Sequence, residues 1–379
     1  MYYSPNYKQE ENSTYNTDVL SQLRHLKDEV HNKNAGIRMQ QLFPEGFVFT
    51  NVLYGLAWAD FAELIKPNHP LFQEANEEIK WSIAEINSEQ GKAIFSDNLP
   101  LKYGAFYNGW SSFLMAKYLK LNQLQNKDPS VLKAFSTVCD SINKAVLTSP
   151  HAYLESYPNS AWQGDNIVCL ASLVLHDKIY PPQYKTAIDT FLNRFKTHLD
   201  PETGMIGHSF SPQMNVNTGG VRGSSQSLIN SFLPLIDSAF AKQQFELYKQ
   251  HFIDYKLGLP AVREYPKNWD GDGDIDSGPV IWEVGTVASI VAIRAMAENG
   301  EKEFYKPIRN AIEAFGFPNH WGLGKKYVFG QIPIADAFLA WCHAKSGENL
   351  ENPPVFWRMT FQLFSLFVIL LLFWLAWKL

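Results

Sequence analysis

Six segments of this chain leave a Gly-, Pro- or aromatic-rich loop and then run apolar around nearly the whole of a helix. They are GFVFTNVLYGLAW from Gly46, YGAFYNGWSSFLM from Tyr103, AWQGDNIVCLASL from Ala161, VRGSSQSLINSFL from Val221, SGPVIWEVGTVAS from Ser277 and GQIPIADAFLAWC from Gly330. Their starts lie 57, 58, 60, 56 and 53 residues apart, and a near-constant spacing of this size marks a repeat architecture. Between them come amphipathic stretches such as SVLKAFSTVCDSINKAV and YKTAIDTFLNRFKTHL. Helices polar on one side belong outside, whereas helices apolar all round belong inside. The pattern predicts twelve helices, near 17–34, 47–65, 71–89, 104–121, 128–146, 162–176, 181–197, 222–238, 240–253, 279–298, 301–315 and 331–344. The expected fold is all-α, an (α/α)6 toroid of six helical hairpins. Closure is preferred to a solenoid because neither terminal pair carries a polar cap.

The ends of the chain suggest further pieces. Residues 1–16 form a polar N-terminal tail without a signal-peptide pattern. The toroid domain is expected over 17–345, followed by a polar linker at 346–354 and a C-terminal segment at 355–379. Within that last segment, Met359 to Trp377 carries no charge and is bracketed by Arg358 and Lys378. Such a run predicts a transmembrane helix, and with it a lipid bilayer as partner. The expected location is therefore the membrane, through a single-pass C-terminal anchor with the main domain cytoplasmic. A net charge of −5 and the lack of a basic helical face argue against nucleic acid as a partner. Cys139, Cys169 and Cys342 show no ligand spacing and read as buried thiols.

Chemistry is sought at the mouths of the inner helices. In NWDGDGDIDSGPVIWEVG, Asp270, Asp272 and Asp274 imitate the start of a calcium loop, but the positions that would need Gly and Glu hold Ile275 and Ile281. No metal is assigned. Asp276 or Ser277 is expected to cap a helix that has Pro279 in its first turn. Glu283, among Val280, Ile281, Trp282 and Val284, is expected on that internal helix, two turns from Asp276 and on the same side. A buried carboxyl is kept for an ion pair or for proton transfer. Asp165 follows Trp162 and Gly164 into another inner helix. Arg263, Glu264 and Tyr265 in VREYP, Arg222 in NTGGVRGSSQS, and Tyr107 and Asn108 in FYNGW supply candidate binding groups, alongside Trp162 and Trp282. No Walker or dinucleotide fingerprint, GxSxG elbow or Cys/His pair is present, and no cofactor is demanded.

With its local patterns FYNGW, WQGDN, VREYP and DIDSGP, this layout resembles the six-hairpin glycosidase superfamily, and in plan it is similar to linalool dehydratase/isomerase-like proteins. The resemblance implies one funnel built by the loops that enter the inner helices, where carboxylates and aromatics gather. The expectation is a carbohydrate-active enzyme acting on a small-molecule or carbohydrate substrate, most simply a glycoside hydrolase. Asp165, Asp276 and Glu283 would supply acid and base, and the residues named above would bind substrate. A lyase or isomerase acting on a hydrophobic or lipid-linked substrate, or a non-catalytic membrane-tethered binding module, is the alternative.

Overall fold

The computed structural model describes residues 7–10, 13–123, 128–256, 258–320, 324–345 and 357–378, with side chains in the final segment from 363 onward. The twelve expected helices are present. They are α1 (Thr17–Asn32), α2 (Gly46–Ala62), α3 (Pro70–Asn87), α4 (Gly104–Leu121), α5 (Pro129–Thr148), α6 (Gln163–Ile179), α7 (Lys185–Thr197), α8 (Gly223–Ile236), α9 (Ser238–Phe252), α10 (Thr286–Glu298), α11 (Lys302–Phe315) and α12 (Pro333–Ala344). Each even-numbered helix packs on the next, and α12 packs back on α2, so the ring closes. The odd-numbered helices pack around it, α1 lying against both α12 and α2. Burial explains the division. Nearly every residue of α2, α4 and α6 is buried, whereas α5 and α7 bury single stripes such as Phe135, Cys139 and Ile142.

The toroid axis is filled rather than hollow. Trp110, Phe232 and Trp341 meet edge-on or tilted, with ring centroids 5.8 to 6.1 Å apart, while Phe49 and Phe338 lie 5.4 Å apart. Phe49 and Phe338 remain half-buried, which makes them the floor of any depression at the helix-entry end. Near the other ends of the inner helices, Asp60 accepts from Arg294 at 2.6 Å and Lys117 lies 2.5 Å away; all three are buried. The Arg294 guanidinium stacks over Trp341 at 4.3 Å.

Two expectations are corrected. The run at 359–377 does form a helix, Trp357–Lys378, but among the described residues no helix is long and apolar enough to cross a membrane. The expected membrane anchor, its bilayer partner and the location built on it therefore fall away. The linker at 346–354 lies outside the described residues. The helix expected from 279 begins instead at Thr286. Val280–Ile281 and Val284–Gly285 pair as a short hairpin whose tip, Trp282 and Glu283, takes φ of 50° and 65°. Two successive left-handed residues make a tight reversal of the chain rather than a helical turn. The polar tail also has structure: Tyr7–Glu10 pairs with Ser13–Asn16, and Asn16 caps α1 by accepting from the amides of Asp18 and Val19.

Candidate active site

Three carboxylates come together at the helix-entry end. Glu45 stands immediately before α2, Asp165 lies in the first turn of α6, and Asp276 sits in the loop ahead of α10. They therefore come from alternate inner helices. Tyr157 is the common neighbour: its hydroxyl donates to Glu45, and the charges of Glu45, Asp165 and Asp276 all add to the burial that drives the phenol upward.

Asp165 is buried, and its Oδ2 accepts from Ser156 Oγ at 2.6 Å. Burial pushes its carboxyl up to about 7; Glu45 and Asp276 push the same way, and the Ser156 bond opposes them. Asp276 keeps contact with solvent, but the protein around it still strips much of its hydration. That desolvation, then the charges of Asp274 and Glu45, raises it to about 6 against the pull of Arg222. Trp162 is half-buried beside these groups, its ring edge-on to Tyr157 at 5.5 Å.

Local backbone explains how the carboxylates are held. Gly104 has φ +76°, and a Cβ there would lie 2.1 Å from the Ser156 carbonyl oxygen. Only glycine lets the loop carrying Ser156 and Tyr157 settle onto the entrance of α4, where the Ala105 amide donates to the Glu155 carbonyl at 2.9 Å. Gly223 plays the same part for α8: a Cβ would lie 1.9 Å from the Arg263 carbonyl oxygen. The Asp276 loop is tied by Asp274, whose Oδ1 accepts from the amides of Asp276 at 3.1 Å and Ser277 at 2.9 Å. Asp274 also pairs with Arg222. The cap expected from Asp276 or Ser277 is thus an aspartate turn made by Asp274.

Several candidates lie elsewhere or are committed to the scaffold. Glu283, expected beside Asp276 inside the ring, is on the exposed hairpin tip, paired with Lys256 and with Arg263 at 3.2 Å. Lys256 and then Arg263 hold its carboxyl below the usual range, so it has no spare proton to give. Trp282 on the same tip is 66% exposed. Arg263 is buried and spent on Asp254, Asp270 and Glu283. Glu264 is fully buried, accepting from Arg222 Nε and Ser224 Oγ, both at 2.8 Å. Tyr107 donates to the Ile86 carbonyl at 3.1 Å, and Asn108 donates to the Lys102 and Gly104 carbonyls at 2.7 Å, both side chains turned into packing. Tyr265 lies under the Arg222 guanidinium at 5.5 Å and donates to the Asp272 carbonyl at 2.9 Å. Arg222 is buried, its Nη2 makes no hydrogen bond, and its charge reaches Asp276 and draws that carboxyl down.

Glu45 and Tyr157 were missed by sequence reasoning. The signal was available for Glu45, since FPEG puts an acid at an inner-helix mouth just as DIDSGP does. Tyr157 gave none. Asp270 and Asp274 turn to different arginines, and among the described residues no three His, Cys, Asp or Glu side chains gather in a way that could hold a metal. The three cysteines are buried and free, Cys169 donating to the Ala105 carbonyl at 3.2 Å.

No protein-family model and no curated protein matches this chain. Solved structures do, and they share the six-hairpin (α/α)6 toroid. An unsaturated glucuronyl hydrolase specific for heparin is 12% identical, with 87% of this chain and 95% of that one covered and a TM-score of 0.55. An inactive variant of an α-1,6-mannanase from Salegentibacter sp. HEL1_6, in complex with α-1,6-mannotetrose, is 11% identical, with 86% and 98% covered and a TM-score of 0.52. A D-mannose isomerase is 10% identical, with 78% and 85% covered and a TM-score of 0.51. At these identities the likeness is one of fold.

Proposed function

We propose that this protein is a carbohydrate-active enzyme, most simply a glycoside hydrolase, working through Asp165 and Asp276. The observation that carries the reading is the meeting of three carboxylates from alternate inner helices around a half-buried tyrosine. Glycosidic cleavage needs one carboxyl that still holds a proton and a second that is ionised, to activate water or to attack. Asp165, buried and raised to about 7, is suited to protonate the leaving oxygen. Asp276, more open and lower at about 6, is suited to act as the ionised partner. Glu45 and Tyr157 position the pair, and Trp162 offers a ring face for a sugar. The mutual repulsion of the three acids disfavours an anionic substrate. Arg222 does little to offset it, being already paired with Glu264 and Asp274. A neutral glycan is the substrate class that follows. The neighbouring α-1,6-mannanase, bound to α-1,6-mannotetrose, makes neutral mannans the first to try.

The test is reducing-end release from neutral mannans and glucans and from unsaturated uronate oligosaccharides, with the intact chain beside Asp165→Asn and Asp276→Asn. Release from a neutral glycan that either substitution lowers by about 10²-fold or more is expected. Release that survives both substitutions would remove these residues from the chemistry.

A further inference from the structure

A cleft lined by none of the three carboxylates opens at the helix-entry end of the ring. It has a volume of about 320 Å³ and lies between the turn at Glu202, the end of α9 at Gln250 and His251, and the loop segment Lys267–Trp269. The volume falls at the lower end of the ~300–1,000 Å³ range of small-molecule sites. The Trp269 indole is 48% exposed, a large aromatic face left bare beside a polar hollow. Around it the side chains of Glu202, Gln250, Lys267 and Asn268 make no hydrogen bond or ion pair to another described residue. The cleft is nonetheless built in advance. The Lys267 amide donates to the His251 carbonyl at 2.9 Å, the Trp269 amide to the Pro266 carbonyl at 3.0 Å, and Arg263 Nη2 to the Trp269 carbonyl at 2.9 Å.

We infer that this cleft is an outer sugar-binding subsite that takes one unit of a neutral oligosaccharide, with its pyranose face on Trp269 and its hydroxyls on the free amide, ammonium and carboxylate groups. The chemistry selects among ligands. With one lysine and one glutamate, and His251 the other titratable group of the lining, the cleft lacks the cluster of positive charge that holds a phosphate or sulfate, and an apolar ligand would leave the unpaired polar groups unsatisfied. A sugar offers both an apolar C–H face and many hydroxyls. Distance also fits. Trp269 precedes Asp276 by seven residues, so the two sites lie at most about 25 Å apart, within reach of one extended glycan. The inference rests on the proposed carbohydrate activity and adds that the substrate is a chain rather than a single sugar.

The experiment uses the intact chain carrying Asp165→Asn, alone and combined with Trp269→Ala or Trp269→Phe. Calorimetric titration follows with manno- and gluco-oligosaccharides from one to six units. The inference predicts that Trp269→Ala weakens binding of the longer oligosaccharides by about tenfold and leaves the shortest unchanged, while Trp269→Phe restores most of the loss. On the parent enzyme, Trp269→Ala should raise KM for long substrates with kcat unchanged. Equal binding by Asp165→Asn with and without Trp269→Ala overturns the subsite and leaves the catalytic reading standing. If Asp165→Asn binds no glycan of either series, both readings fall together.

Discussion

The proposed chemistry depends on where one proton sits. Asp165 is pushed up to about 7 and Asp276 to about 6, and because Asp276 adds to the shift of Asp165, the two steps belong to the pair rather than to either residue. Activity that needs one proton between them should rise and fall with pH, with limbs near 6 and 7, when kcat/KM is followed on a cleaved glycan. Asp165→Asn removes that shape along with the rate. The same shift has a thermodynamic side. A carboxyl raised in the folded state binds its proton more tightly than in the unfolded chain, so its contribution to stability declines as pH rises from about 4 to about 7. Asp165→Asn is therefore expected to stabilise the fold above about pH 7, by on the order of 3 kcal/mol, and to give no gain below about pH 4. Urea unfolding of both proteins at about pH 8 and about pH 3.5 checks the sign.

At the scale of single elements, loop backbone decides which side chains reach the site. Gly104→Ala brings a methyl against the Ser156 carbonyl at a φ that side chains avoid. A loss of about 1–3 kcal/mol is expected in urea unfolding, with a larger fall in turnover as Ser156 and Tyr157 are displaced. Glu283 shows where sequence stopped. Its apolar neighbours Val280, Ile281, Trp282 and Val284 suggested a buried helical acid, yet a two-residue reversal puts it in solvent beside Lys256. Apolar runs too short to show a period do not distinguish a helix from a hairpin. Tyr107, Asn108 and Arg263 failed for another reason: whether a polar side chain turns to a ligand or to a backbone carbonyl is set by tertiary packing. The position of Asp165 at a helix entrance was legible because it directly follows a mouth loop, and that of Asp276 because the loop itself carried the composition signal. Glu45 stood in an equivalent position and was overlooked.

Across the whole molecule, the ring was readable because the six inner helices had to be apolar on all sides, and their spacing kept time along the chain. Its electrostatic fastening was not, since the partners are far apart in sequence. Asp60 of α2 meets Arg294 of α10 across the ring, and Asp18 of α1 meets Arg309 at 2.8 Å and Lys325 at 2.7 Å. Arg294→Met leaves Asp60 with Lys117 alone. Removing one member of a buried pair costs about 3–5 kcal/mol, and a loss toward the lower end of that range is expected in urea unfolding, with turnover per folded molecule unchanged. The polar groups that make the site and those that close the ring thus lie at opposite ends of the same inner helices.

A carbon-13 carboxyl titration of the intact chain, with Asp165→Asn used to assign the resonance, bears most directly on the carboxylate cluster. A midpoint for Asp165 within about a unit of 7 is expected, moving down when Glu45→Gln removes a neighbouring charge. A midpoint near the ordinary aspartate value of about 4 would mean a solvated, unassisted carboxylate, and the account of a proton held for catalysis would be wrong.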